Sequence, residues 1–125
     1  MVISLSYINS DPIIDFQVKN VKGLWTRFLA YVDSGAALTV LTREDADRLG
    51  IYLARGRSID LHGISGAIPA YIHNRQIKIE DRILKVQIAF STSNETPRLI
   101  GREGIFDKFE VCFNDKKKTV NFSTL

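Results

Sequence analysis

The sequence predicts a mainly β domain with one or two short helices. Short apolar or alternating segments recur about every 8 to 12 residues and are separated by polar clusters, which is typical of antiparallel strands. Apolar residues make up 45% of the chain and charged residues 25%, values that favour a globular domain over a disordered or collagen-like chain. At 125 residues, the chain is expected to form a single domain, 1–125, around one core.

The first half of the chain supplies a strand pair, a short strand and a helix. Residues 13–18 and 25–32 are predicted as strands that are joined by a turn at 20–23, and residues 38–41 as a short apolar strand. Thr42 has the hydroxyl of a helix N-cap and Gly50 is a typical stop. We therefore predict a helix near residues 43–49.

The second half returns to β structure. A polar loop is predicted at 91–97, a short helix at 105–109, and a closing hairpin whose turn carries the lysines 116–118. The glycines of segment 63–66 permit turn dihedrals at little steric cost, so this segment is expected to be a mobile hairpin tip. The longer predicted strands are 59–64, 68–79 and 83–90.

Charge and cysteine content narrow the class of function. The net charge is +3, but the only dense basic run, 116–118, fits a solvated turn better than a phosphate-binding surface, so no nucleic-acid partner is expected. The single cysteine, Cys112, has the apolar neighbours Val111 and Phe113 and is predicted to be a buried thiol in a reducing compartment. Without a secretory signal or a bilayer-spanning segment, we expect a cytoplasmic protein or a domain of a larger one.

Asp33 is the strongest candidate for a reactive group. It ends an apolar strand and precedes Ser34 and Gly35, so a strand would hold its carboxylate at the start of a loop. The same three residues are ordinary turn formers, and the tripeptide alone favours a structural turn. His62 and His73 have no neighbour at metal-ligand spacing, so neither a metal nor a cofactor is expected.

Three landmarks together resemble the retropepsin-like aspartic proteases. An apolar strand, 28–32, leads into Asp-Ser-Gly-Ala at 33–36; a glycine-tipped segment follows at 63–67; and Leu-Ile-Gly-Arg stands at 99–102. The resemblance covers residues 24–113, and the landmarks occur in the order of that family. It implies a closed β-barrel of the acid protease fold.

The resemblance also implies roles for individual residues. Asp33 would be the catalytic carboxylate, with the Ser34 hydroxyl holding the catalytic pair in place, while Gly35 and Ala36 would contact the substrate backbone. A substrate-binding flap, residues 63–67, would close over the peptide; its members are Gly63, Ile64, Ser65, Gly66 and Ala67. The residues expected to support the active loop from behind are Leu99, Ile100, Gly101 and Arg102.

The chain contains one Asp-Ser-Gly, whereas the chemistry needs two carboxylates that share a proton. A homodimer acting on polypeptides is therefore expected, with no membrane involved. Segments 2–7 and 119–125 are candidate interface strands, because edge strands readily pair with another chain.

Two residues depart from the retroviral pattern. Ser34 stands where threonine is usual, and Ala37 stands where many retroviral members have an acid for the arginine matched by Arg102. We expect Arg102 to find Asp60 or a terminal carboxylate instead. The alternative function is a dimerisation or peptide-binding module of the same fold with little cleavage. An aspartate-nucleophile phosphatase is disfavoured, because it would need a second aspartate at position 35.

Overall fold

The computed structural model describes residues 1–64 and 66–125 and is mainly β, as predicted. Besides the strands, this part of the chain has one α-helix, Arg43–Leu49, and a turn of 3₁₀ helix at Leu53–Arg55. No helix in the described residues is long and apolar enough to cross a membrane. The elements in chain order are β1 Val2–Ser6, β2 Ile13–Lys19, β3 Trp25–Val32, β4 Thr39–Leu41, α1 Arg43–Leu49, β5 Arg57–Gly63, β6 Gly66–Ile79, β7 Arg82–Ser91, β8 Leu99–Ile100, β9 Phe109–Asn114 and β10 Thr119–Thr124.

Six of these strands form a closed barrel, which confirms the predicted fold. Their order is β2-β3-β8-β4-β7-β6, and β6 returns to β2 through the register pairs Gln17 with Lys78 and Val18 with Ile77. Closure leaves no open edge within this ring of strands. Among the residues that the structure describes, β5 pairs only with β6, so these two strands form a hairpin that projects from the barrel.

The barrel interior is filled by alternate side chains of its strands, because successive residues of a strand point to opposite faces. On β2, Ile14, Phe16 and Val18 are buried, and Asp15 between them is exposed. Phe16 lies opposite Phe28 of β3, with ring centroids 6.1 Å apart. Such alternation fixes the strand register, since a slip of one residue would expose the whole apolar set.

The predicted helix 43–49 is confirmed as α1. The Thr42 side chain accepts a hydrogen bond from the Asp45 N–H at 3.2 Å, and Asp45 Oδ2 accepts one from the Thr42 N–H at 3.0 Å. This reciprocal capping box satisfies amide groups that the first turn leaves without partners. Gly50 ends the helix in the left-handed conformation, at φ 75°.

The second predicted helix, 105–109, is wrong. Residues 103–108 form consecutive turns, and Phe109 already belongs to β9. Gly104 has φ +76°, and a Cβ there would lie 2.8 Å from the Lys85 carbonyl oxygen, so the chain turns tightly against β7 at this point. Close packing of this turn therefore prevents a regular helix.

The two ends of the chain meet in a separate sheet of three strands, in the order β1-β10-β9. The prediction that both terminal segments are edge strands is wrong for 119–125, because β10 is the middle strand and pairs with β1 and β9 of its own chain. Within this three-stranded sheet, the outer edges of β1 and β9 are the ones left unpaired among the described residues. The lysines 116–118 lie in the predicted turn between β9 and β10.

Cys112 is exposed, so the prediction of a buried thiol is wrong. The prediction relied on the apolar neighbours Val111 and Phe113, but adjacent residues of a strand face opposite ways, so their character does not indicate the environment of Cys112. The Cys112 Sγ instead lies 3.7 Å from Glu110 Oε1 on the outer face of β9.

Candidate active site

Asp33 lies at the end of β3, where two strands fix its backbone. Tyr31 and Val32 pair in parallel with Leu99 and Ile100 of β8. The Asp33 N–H then donates to the Ile100 carbonyl at 2.9 Å, which extends this ladder by one residue. Because Val32 and Ile100 are buried in the core, the carboxylate is attached to a strand end that the core holds in place.

The carboxylate of Asp33 is oriented by its own loop. Its Oδ1 accepts a hydrogen bond from the Gly35 N–H at 2.8 Å, and the Asp33 carbonyl accepts one from the Ala36 N–H at 3.2 Å. A Cβ at Gly35 would stand only 3.2 Å from Asp33 Oδ1. Glycine thus allows the amide to approach the acid closely.

Residues 99–103, which come much later in the sequence, lie directly behind this loop. The Arg102 N–H donates to the Ala36 carbonyl at 2.9 Å, and the Glu103 N–H donates to the Ala37 carbonyl at 3.0 Å. The Gly101 N–H donates to the hydroxyl of the fully buried Thr39 at 3.2 Å. Two loops distant in sequence are therefore tied together by backbone hydrogen bonds, and we call residues 33–37 and 99–103 the floor.

Gly101 is the tightest point of the floor. A Cβ on this residue would lie 2.3 Å from both the carbonyl carbon and the carbonyl oxygen of Leu38, and 2.9 Å from the Ala36 oxygen. These are backbone atoms, which cannot move aside as a flexible side chain would. Only glycine therefore allows the two loops to pack at this distance.

Arg102 has a different partner from the one expected. Its Nη1 donates to the Ser34 carbonyl oxygen at 2.7 Å, whereas Asp60 and the terminal carboxylate were the predicted partners. With Ala37 in place of an acid, the guanidinium holds the backbone of the loop directly. The Ser34 hydroxyl has no hydrogen-bond partner among the described residues of this chain.

A cleft of about 570 Å³ opens above the floor and below the β5–β6 hairpin. It brings together six residues of the predicted site: Asp33, Gly35, Ala36, Gly63, Gly66 and Leu99. Ile64 at the hairpin turn and Ala67 are exposed outside its lining, and Ser65 lies outside the described residues. Ser34, Ile100, Gly101 and Arg102 are not part of the lining and belong to the floor behind it.

Much of the cleft wall was not foreseen from the sequence. The unpredicted lining residues are Ala37, Leu38, Val40, Ile59, Asp60, Leu61, His62, Ile68, Thr96 and Pro97. Leu38, Ile59 and Leu61 among them pack on a small buried cluster, separate from the barrel core, whose members are Val40, Ala70, Ile72 and Ala89. The alternation of residues 59–61 signals a two-faced strand, but only the fold shows that one face meets Leu38, Val40 and Leu99.

A family model described as aspartyl protease matches residues 17–103, well over half of the chain. The matched region contains Asp33, the β5–β6 hairpin and all of residues 99–103 behind the active loop. The chain therefore belongs to the aspartyl protease family, and its fold is of the retropepsin-like kind. No curated protein sequence matches it significantly.

Solved structures of similar fold include two proteases. A retropepsin-like aspartic protease from Rickettsia conorii is 19% identical with a TM-score of 0.70, covering 98% of this chain and 89% of that one. The EIAV protease in complex with the inhibitor HBY-793 is 22% identical with a TM-score of 0.60, covering 78% of this chain and 88% of that one. At these identities the likeness is one of fold.

Proposed function

We propose that this chain is an aspartic endopeptidase that works as a homodimer, with one Asp33 from each copy forming the catalytic pair. The observation that carries the proposal is a carboxylate fixed by the Gly35 N–H in the floor of a cleft, in a chain with one Asp-Ser-Gly. Residues 1–125 would act as one cytoplasmic domain that needs no metal or cofactor and binds polypeptide rather than nucleic acid or membrane.

The chemistry follows from placing two such carboxylates side by side. Two adjacent carboxylates cannot both ionise cheaply, so the pair holds one shared proton. The ionised member takes a proton from a water molecule, which attacks the peptide carbonyl carbon. The protonated member donates its proton to the carbonyl oxygen, which gives a tetrahedral species with two hydroxyl groups. The carboxyl that took the proton from water then gives it to the amide nitrogen, and the other carboxylate takes a proton from one hydroxyl. The C–N bond breaks, the amine and the acid are released, and the pair again holds one shared proton.

The hydrogen bonds of the floor support this role, because catalysis requires that the carboxylates be held before the substrate arrives. The Ser34 hydroxyl, which has no partner among the described residues of its own chain, is available to bond across the dimer axis. Gly35 and Ala36 would contact the peptide backbone from below. The flap, residues 63–67, would cover the peptide from above and exclude water during the reaction.

The experiment that tests the proposal begins with a mixed peptide library, incubated with and without a statine-type inhibitor and then analysed by mass spectrometry. Wild-type protein should give inhibitor-sensitive cleavage, and Asp33→Asn should give none, because the amide cannot accept the proton from water. The variant should still dimerise in sedimentation. If the wild type binds peptides without cleaving any of them, the binding-module alternative is correct.

Mixing the two proteins tests whether the site is shared. After subunit exchange, an equal mixture leaves only about a quarter of the dimers with two aspartates, so initial rates should follow the square of the wild-type fraction. A linear dependence on that fraction, with exchange demonstrated by an independent label, would show that each chain works alone.

A further inference from the structure

A series of basic side chains begins beside the apolar wall of the cleft. Ile59 and Leu61 of β5 line the cleft and pack on the small buried cluster described above. Arg57 lies two positions before Ile59 on the same strand, so it projects from the same face of β5, and it is exposed. At the usual rise of a strand, the two residues are about 7 Å apart. The first cation therefore stands directly beyond the apolar wall.

The same face continues along β6 and β7, which pair without a break over residues 70–79 and 82–91. Ile72 and Ala89 belong to the cluster, so residues an even number of positions away from them on each strand share its face. These residues are Asn74, Gln76 and Lys78 on β6, and Gln87, Lys85 and Ile83 on β7. Beyond the cluster this face is therefore polar and basic, with one apolar residue.

A groove of about 400 Å³ lies in this polar part of the face. Its lining residues are Lys19, Asn74, Arg75, Gln76 and Lys85. The guanidinium of Arg75 is fixed in the groove, because its Nε and Nη2 donate to the Lys19 carbonyl oxygen at 3.2 and 2.6 Å. The described lining contains cations and amide groups but no carboxylate, which is the composition that suits an anionic ligand.

The five cations of this region form no ion pair within the part of the chain that the structure describes. We call them the basic row; its members are Arg57, Lys85, Arg75, Lys78 and Lys19. Glu103 is bound on the other edge of β7, where its Oε2 accepts the Gln87 N–H at 2.7 Å. Glu80 and Asp81 lie in the turn after β6 and end the row. A surface with one sign of charge attracts ligands of the opposite sign.

The surroundings of Trp25 favour an acidic polypeptide over a nucleic acid. The Nζ atoms of Lys78 and Lys19 lie over the ring, 4.5 and 5.6 Å from its centroid. Proteins that bind single-stranded nucleic acid stack bases on open aromatic faces, whereas lysines occupy this ring. Ile83, which is 54% exposed, lies opposite Lys78 and two positions from Lys85. It offers an apolar contact to a peptide side chain between the two charges.

We propose that the basic row binds an acidic segment of the polypeptide substrate, which leaves the cleft and carries several aspartates or glutamates. This proposal rests on the proposed protease function, since the bound segment belongs to the substrate. Arg57 is paired with Ile72, and from there to Lys78 the strand spans about 20 Å, the length of about six extended peptide residues. In a symmetric dimer, the second basic row serves the other end of the shared cleft, so the acidic segment can lie on either side of the cleaved bond.

The test uses two fluorogenic peptides with the same leucine–phenylalanine centre. One continues into a tail of alternating glutamate and serine, and the other into a tail of alternating glutamine and serine. For the wild type at low salt, KM should be about three- to ten-fold lower for the glutamate tail, as expected for two or three exposed ion pairs. The kcat values should be similar, because the row lies away from the reacting atoms. Raising the salt concentration should reduce the difference in KM.

The double variant Arg57→Gln/Lys85→Gln should lower the KM ratio of the two tails to less than about two. Both side chains are exposed, so the variant should keep the fold. The matched control is Lys116→Gln/Lys117→Gln, which removes the same charge from the exposed turn between β9 and β10 and should keep the wild-type ratio. The comparison separates binding at the row from an effect of net charge.

The affinities of the same peptides are measured by fluorescence anisotropy in the Asp33→Asn background, where binding is observed without cleavage. The glutamate tail should bind about three- to ten-fold more tightly than the glutamine tail, and Arg57→Gln/Lys85→Gln should remove this difference. If the wild type cleaves neither peptide, the protease proposal fails, and these affinities judge the basic row separately. Equal affinities for the two tails would contradict it.

Three results would overturn the inference. The first is an equal KM for both tails in the wild type, and the second is a glutamate preference that survives Arg57→Gln/Lys85→Gln. The third is a single-stranded oligothymidylate that binds more tightly than the glutamate-tail peptide and is lost in that variant, because the row would then be a nucleic-acid surface. In all three cases the proposed protease function stands if the peptides are still cleaved.

Discussion

The floor and the flap of the cleft both depend on glycine, but for opposite physical reasons. In the floor, a Cβ on Gly101 would lie 2.3 Å from backbone atoms of Leu38. At the flap, a Cβ on Gly63 or Gly66 would meet nothing within 4 Å, and Gly66 instead has φ +116°, which L side chains rarely adopt. Glycine in the floor allows close packing, whereas Gly66 allows an unusual backbone conformation in open space.

This difference indicates that the floor and the flap have different roles, the floor in stability and the flap in turnover. The floor is tied by backbone hydrogen bonds between residues 33–37 and 99–103 and rests on the core, so changes there should lower the stability of the whole fold. Gly63 and Gly66 of the flap have open space beside them, so changes there should lower the folding free energy less than changes in the floor and should mainly alter turnover. Each of the following variants is chosen to test that division.

Gly101→Ala should have the largest effect. The methyl group cannot fit without moving the Leu38 backbone, and overpacking a buried site of this kind costs on the order of 3 kcal/mol. For a chain of this size, that corresponds to a fall in melting temperature of about 12 °C. Thermal unfolding followed by circular dichroism measures this fall in melting temperature. Gly63→Ala is the matched control and should melt within about 2 °C of the wild type, since its Cβ enters open space.

Arg98→Met should have an intermediate effect, because it removes an anchor of the floor. Arg98 precedes β8, accepts the Tyr31 N–H through its carbonyl, and donates two side-chain hydrogen bonds to the fully buried Asp45 of α1, at 2.7 and 3.0 Å. Removing the cation beside a buried carboxylate costs several kcal/mol, but Asp45 keeps its hydrogen bond from the Thr42 N–H and Arg98 is partly exposed. We therefore expect a loss of about 2 kcal/mol in urea unfolding.

The control for this variant is Arg27→Met, which breaks an exposed ion pair with Asp15 and should lower the free energy of unfolding far less than Arg98→Met, because solvent screens exposed pairs. The hydrogen bond to Asp45 raises the pKa of Arg98 above its already high ordinary value. A raised pKa gives a stabilisation that is lost only as pH rises through the folded-state value, so the arginine itself adds no pH dependence between about pH 6 and 9. If both variants lost the same free energy of unfolding, the pair of Arg98 with the buried Asp45 would matter no more than an exposed ion pair, which would contradict this prediction.

Gly66→Val should have the smallest effect on stability but a clear effect on turnover. The valine would be strained at φ +116° and should hinder closure of the flap, with a cost of about 1 kcal/mol or somewhat more. Gly63→Val introduces the same side chain into the same hairpin without that strain, and should retain more activity. The two variants are compared by their single-turnover rates on a peptide that the wild type cleaves. Undiminished turnover in Gly66→Val would show that residues 63–67 do not act as a lid.

Local sequence signals predicted the regular elements well where the stabilising hydrogen bonds join residues close together in the chain. Thr42, Asp45 and Gly50 cap α1 within the segment itself, so the helix could be located before the structure was known. The signals failed where a neighbouring element decides the outcome. Helix 105–109 gives way to turns because Gly104 packs against β7, and Cys112 faces outward because of strand parity.

The sequence by itself determined the class of fold, the place of Asp33 at the end of a strand and the order of the three landmarks, because these depend on strand periodicity and on residues adjacent in the chain. Only the tertiary structure decided what surrounds the carboxylate. The contacts of Ser34 with Arg102 and of Leu38 with Gly101 join residues more than sixty positions apart, and Asp60 lines the cleft only because β5 folds back over the floor. Contacts between distant segments depend on barrel closure and strand register, which no local pattern specifies.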